Sequence, residues 1–141
     1  MESRAEQLAR GVLRLFAEHG HTGVTEFTLP NGRRADVVTL DREGGLSITE
    51  IKCSVADSRS DGKWPEYLEW RDSFYFAVPE QFPHELLPSK HGLIIADSYG
   101  GDILRPADVN KLNANRRKSL ILRYARHAAA RLRSLNDPDY G

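Results

Sequence analysis

Apolar residues recur at helical spacing over residues 3–19, where Ala5, Leu8, Ala9, Val12, Leu15 and Phe16 form one stripe. Gly20 and Gly23 end that helix. Beyond them the period shortens. Val24–Leu29, Arg34–Leu40 and Leu46–Lys52 read as three strands, joined by the turn sequences P-N-G-R and D-R-E-G-G. The stretch S-V-A-D-S-R-S-D-G is polar and reads as a loop, after which Pro65 suits the first turn of a helix running to about Asp72. Ser73–Val78 contains F-Y-F-A-V, a strongly β-prone run. Gly92–Asp97 and Asp102–Arg105 form a hairpin turning at Y-G-G, and a closing helix covers about Ala114–Ser134. The order is helix, three-strand meander, helix, strand, hairpin, helix. It predicts a mixed central sheet flanked by helices, an α/β sandwich in a single domain over residues 1–141. The tail N-D-P-D-Y-G is expected to fray.

The polar pattern breaks its own rule in the second and third strands. Asp36 lies near the start of one, and Glu50 and Lys52 near the end of the other, although both runs are apolar enough to be buried. Closing the loop Asp41–Gly45 with Leu40 opposite Leu46 sets Val38 opposite Ile48 and Asp36 opposite Glu50. Opposed residues project from one face with Cβ atoms about 4.5–5.5 Å apart. Lys52, two residues beyond Glu50, points the same way. A slip of one residue would scatter the three groups to opposite faces. Two opposed carboxylates repel unless something neutralises them, and a divalent cation does so. Oxygen donors suit Mg²⁺ or Mn²⁺, with the Ile51 carbonyl as a further ligand. Lys52 would then stand beside the scissile phosphate and offset charge in a phosphoryl transition state. The competing expectation is a structural ion pair of these acids with Lys52 or Arg34.

Composition excludes more than it suggests. Of 141 residues, 40% are hydrophobic and 28% charged, ordinary for a soluble globular chain of one domain. No apolar run is long enough to span a membrane and the N-terminus lacks a signal-peptide core, so a cytoplasmic protein is expected. The single cysteine, Cys53, excludes an internal disulfide and a cysteine-only metal cage. Net charge is zero, yet seven Lys or Arg and no acid lie between Asn113 and Leu135. That basic run fits a polyanion partner or a solvated helix face.

The acid followed by E-x-K on adjacent strands resembles the PD-(D/E)XK nuclease superfamily. More specifically, G-R-R-A-D-V-V, T-E-I-K-C-S, D-G-K-W-P-E-Y and G-L-I-I-A-D-S-Y-G resemble the MmcB family of DNA repair proteins, over nearly the whole chain. The resemblance implies a restriction-endonuclease-like core, catalytic roles for Asp36, Glu50 and Lys52, a metal-dependent deoxyribonuclease activity in DNA repair, and DNA or other repair proteins as partners. A non-catalytic module binding DNA or a repair partner on the same fold is the alternative. Ala35 stands where the superfamily has a proline, a residue that shapes backbone and binds nothing.

Other candidates surround this centre. A two-residue Asn31-Gly32 turn would set Phe27 against Asp36 and send Glu26 to the opposite face, so Glu26 is an outside metal ligand, requiring a bulge. Glu6 lies off the apolar stripe and is expected in solvent. Lys63, Trp64 and Tyr67 form a cluster at the start of the second helix, suited either to nucleic acid or, for the aromatics, to the core. Arg33 and Arg34 at the hairpin mouth, and Arg116, Arg123 and Arg126 on the last helix, are candidate phosphate contacts. Leu120, Ile121, Tyr124, Ala125, Ala128 and Leu132 should dock that helix.

Overall fold

The computed structural model describes residues 1–60, 62 and 64–140. Six strands form one sheet in the order β1 (Thr22–Thr28), β2 (Arg34–Leu40), β3 (Leu46–Ile51), β4 (Ser73–Val78), β5 (Gly92–Ala96) and β6 (Gly101–Arg105). Short turns make β1–β2–β3 an antiparallel meander, and longer connections allow β3, β4 and β5 to run parallel. β6 returns antiparallel to β5. All six residues of β4 are buried, as a parallel strand covered on both faces requires.

The two faces of the sheet have separate cores. Helix α1 (Arg4–Glu18) lays Leu8, Val12, Leu15 and Phe16 on Val37, Tyr75, Ala77 and Ile94. Ser3 caps it, its hydroxyl accepting the Glu6 N–H at 3.1 Å. Ala5, the first position of the expected stripe, is exposed. The opposite face gathers Phe27, Val38, Ile48, Phe74 and Phe76 beneath Tyr67, Leu120 and Tyr124. The aromatic and branched side chains fill this layer at positions of alternating burial, which explains why the strand limits follow the apolar pattern closely.

Five expectations change. Val55–Ser60, read as loop, is a short helix α2. Ser54 accepts the Asp57 N–H at 3.2 Å while Asp57 accepts the Cys53 N–H at 3.0 Å, a reciprocal cap that starts a helix without an apolar stripe. The segment Trp64–Trp70 is a 3₁₀ helix rather than an α-helix. Helix α3 (Ala114–Asn136) runs past Ser134, and Pro138–Tyr140 forms a 3₁₀ turn where fraying was expected. Only Leu120 and Tyr124 of α3 are buried, and Leu132, assigned to the docking stripe, is 59% exposed. The apolar face docks through the first half, while in the second half His127 and Arg131 hydrogen-bond to Thr25, and Leu132 and Leu135 face solvent. Among the described residues, no helix is long and apolar enough to cross a membrane.

Candidate active site

The expected hairpin register holds: Leu40 pairs with Leu46 and Val38 with Ile48. The ladder stops at Val37 and Thr49. One step further, carboxylates replace carbonyls as acceptors. The Asp36 N–H donates to Glu50 Oε1 at 3.0 Å, and the Ile51 N–H donates to Asp36 Oδ2 at 2.8 Å. Each acid is therefore clamped across the gap by the other strand, which fixes both side chains without a neighbouring loop. Asp36 is half-buried, whereas Glu50 and Lys52 are 4% and 5% exposed.

Burial and the neighbouring Asp36 carboxylate push the Glu50 pKa up to about 9, against the smaller opposing effects of the Asp36 N–H and the Lys52 charge. Glu50 consequently holds a proton at neutral pH when no cation balances the pair. Lys52 is near enough to favour the ionised acid, and its own N–H donates to Ala77 O at 2.9 Å, tying the end of β3 to β4.

Glu26 is brought to this level, contrary to the face assigned from a two-residue turn. Leu29 N–H donates to Arg33 O at 2.8 Å and Gly32, at φ 85°, donates to Leu29 O at 2.9 Å, so the loop has three residues, Pro30 to Gly32. Phe27 then pairs with Ala35 and Thr25 with Val37, which leaves Glu26 and Asp36 facing each other in an interrupted ladder. Both strands twist there. Val24 and Phe27 reach the same core although three apart, and Ala35 and Val37 reach opposite cores although two apart. Glu26 has φ 50°, an uncommon backbone for a glutamate and a form of local strain that clusters at functional sites.

A cavity of about 570 Å³ opens here beneath the first turns of α1, lined by Asp36, Glu26, Ile51, Glu6 and Arg10 among others. Glu6 is exposed as expected, but it is exposed to this cavity. Its helical offset from Leu8 and Ala9 signals only that it leaves the core; the position of the hairpin beside α1 decides where it points. The acidic side chains here offer hard oxygens only: the Asp36–Glu50 pair, with Glu26 and Glu6 lining the cavity beside Asp36. The nearby Cys53 thiol is pushed up by burial and by Asp57 and stays protonated. This set fits Mg²⁺ or Mn²⁺, which often take one or two carboxylates and complete the shell with phosphate and water. Among the described residues, no group of three or more His, Cys, Asp or Glu is spaced to hold a metal unaided.

The basic and aromatic candidates separate. Lys63 lies outside the described residues. Trp64 stacks on Phe74 and meets Phe76 edge-on, while Tyr67 is 7% exposed and donates its hydroxyl to Arg34 O at 3.0 Å. Both rings thus lie in the core and position β2, not at a surface that nucleic acid reaches. Arg33 pairs with Glu66 at 2.7 Å, and Arg34 is exposed. Arg116 covers the Trp70 ring at 4.7 Å and donates to Glu69 O. Arg123 and Arg126 are exposed, Arg123 reaching Thr28 O at 3.3 Å.

A family model described as DNA repair protein MmcB-like matches residues 1–139. The chain is also similar to a solved structure, the SPO1766 protein of unknown function from Silicibacter pomeroyi, at 46% identity and a TM-score of 0.95, covering 97% of this chain and 94% of that one. No curated protein matches it.

Proposed function

The chain belongs to the MmcB-like family of DNA repair proteins, and from that premise we propose that its acidic centre is a PD-(D/E)XK-type nuclease site that hydrolyses phosphodiester bonds in DNA. The observation that carries this reading is the cross-strand clamp of Asp36 and Glu50, with Lys52 buried near it and Asp36 lining an open cavity. Two opposed carboxylates at a buried strand end repel when both are ionised, and such a pair is useful where a cation and a phosphate arrive together. Mg²⁺ or Mn²⁺, when bound by Asp36, Glu50 and the Ile51 carbonyl, supplies charge neutralisation and polarises the phosphate. Lys52 offsets negative charge on the transition state, and Glu26 and Glu6 lie where they can orient water in the cavity. Arg34, Arg123 and Arg126 are the exposed cations able to steer a phosphate backbone.

A specific observation favours the second reading, a non-catalytic DNA-binding module. One oxygen of each carboxylate is already committed to a backbone N–H, as in a purely structural clamp. One experiment decides between them. Nicked, branched, blunt and single-stranded DNA are incubated with the protein and Mg²⁺ or Mn²⁺. A nuclease cuts at least one of these, and Lys52→Ala abolishes cutting while DNA affinity stays within a few-fold. Specific binding with no cleavage under either metal establishes the binding module instead.

A further inference from the structure

A second pocket lies away from the acidic centre, at the starts of the parallel strands β4 and β5. Its volume is about 250 Å³, and its polar lining is Arg71, Lys90, His91, Asp108 and Asn110 over a floor that includes Phe74. Arg71 is 8% exposed, and its Nε has no hydrogen-bond partner. No carboxylate among the described residues forms an ion pair with it. The adjacent Asp72 is unavailable, because both of its oxygens are taken by Arg117 and by the Leu46 and Leu112 N–H groups. His91 Nε2 is also buried without a partner. Arg71 therefore has the Asp72 charge nearby but no ion-pair partner, and a buried guanidinium nitrogen left without a hydrogen bond is costly unless an anion completes it.

The walls of the pocket are fixed before any ligand arrives. Arg105 donates to His91 O at 2.7 Å and to Pro88 O at 3.2 Å, which pins the segment carrying Lys90 and His91. Asn110 N–H donates to Asp72 O at 2.8 Å and anchors the opposite wall. The His91 ring meets Trp64 and Phe74 edge-on at 5.1 and 5.4 Å. Donors therefore converge from three separate chain segments, an arrangement suited to a tetrahedral oxyanion; a planar carboxylate would be satisfied by the arginine fork alone. The pocket is smaller than the roughly 300–1,000 Å³ of drug-sized sites, which favours one compact anionic group.

We propose that this pocket is a phosphate site in which Arg71, Lys90, His91 and Asn110 hold one phosphate group, either the terminal phosphate of a DNA strand or free inorganic phosphate. Asp108 at the rim is the one opposing charge, and the exposed Lys90 outweighs it together with Arg71. The site does not require the acidic centre to be hydrolytic.

The test is calorimetric titration of the full chain in metal-free buffer with inorganic phosphate and with a short single strand bearing a 5′-phosphate or a 5′-hydroxyl. Saturable phosphate binding is expected, weakened at least tenfold by Arg71→Gln and several-fold by Lys90→Gln, and tightened by Asp108→Asn. Tighter binding of the 5′-phosphorylated strand than of both the 5′-hydroxyl strand and free phosphate identifies a strand end as the ligand. Free phosphate binding at least as tightly as the phosphorylated strand identifies the small anion. Lys90 and Asp108 are exposed, so their variants decide the matter if Arg71→Gln does not fold. No saturable binding of either probe, or affinities unchanged in Lys90→Gln and Asp108→Asn, overturns the proposal. So does an Asp108→Asn protein of lower stability and unchanged affinity, since Asp108 would then be the partner of Arg71.

Discussion

At the start of β3 the buried Asp72 carboxylate accepts four hydrogen bonds: Leu46 N–H at 2.7 Å, Leu112 N–H at 2.9 Å, and two from the Arg117 guanidinium at 2.6 Å each. At the other end of the same strand Glu50 is as deeply buried, accepts one backbone N–H and faces a second acid. The Arg117 side chain and the two backbone N–H groups hold the Asp72 carboxyl below the usual range despite its burial, whereas burial and Asp36 drive Glu50 far above it. Burial is common to both, so burial alone does not separate a structural carboxylate from a functional one. What separates them is whether the protein itself supplies the compensating charge. Asp72 is completed within the fold and joins β3, the 108–112 segment and α3. Glu50 has the Lys52 charge nearby, too weak to outweigh burial and Asp36, and keeps a proton instead.

The largest effect that would break this contrast is at Asp72. Asp72→Ala strands Arg117 and two backbone N–H groups and should lower unfolding stability by roughly 3–5 kcal/mol, read from urea midpoints. A loss below 1 kcal/mol would mean that the four bonds are not the structural anchor described. Glu50→Gln should act in the opposite direction. Its amide oxygen still accepts the Asp36 N–H, and the native state no longer has to keep a proton that the unfolded chain releases, so metal-free stability near pH 8 should rise by roughly 1–3 kcal/mol. Mn²⁺ should raise the melting temperature of the wild type and not of this variant.

The pH dependence sharpens the same contrast. Between the unfolded Glu50 value near 4.5 and the folded value of about 9, the native state keeps a proton that the unfolded chain has released. Wild-type stability should therefore fall as pH rises through that window, and Glu50→Gln should flatten the fall. The smallest effect is on the acid side. Asp72, depressed in the fold, contributes stability that is present above its unfolded value of 3.8 and is lost as pH falls through the folded one. Asp72→Asn should remove that acid branch from a midpoint-against-pH curve and leave the alkaline branch intact.

Much of the acidic centre is legible in the residues that build it. Alternating apolar positions place β2, β3 and β4 within a residue of where they lie, and a five-residue turn sets Leu40 against Leu46, so the meeting of Asp36 and Glu50 follows from local geometry. Val55–Ser60 reads as loop on its polar character, and the signal that would have corrected it is the S-x-x-D pattern of Ser54 and Asp57. Glu26 was harder. Its level depends on whether P-N-G closes with two or three residues in the loop, a choice made by the Leu29–Arg33 hydrogen bond, and one residue of difference moves it to the other face.

By itself, then, the sequence determined the helix stripe of α1, the strand order within the meander and the pairing of its two central acids, because periodicity and turn length act over only a few residues. The tertiary structure alone decided which buried charges are completed. Asp72 finds Arg117 45 positions away, Arg71 forms no ion pair among the described residues, and Leu122, Leu132 and Leu135 of α3 stay exposed. Such pairings depend on where distant segments pack, and no periodicity records that. The contrast between the two carboxylates at opposite ends of β3 exists only once the sheet has brought their neighbours into place.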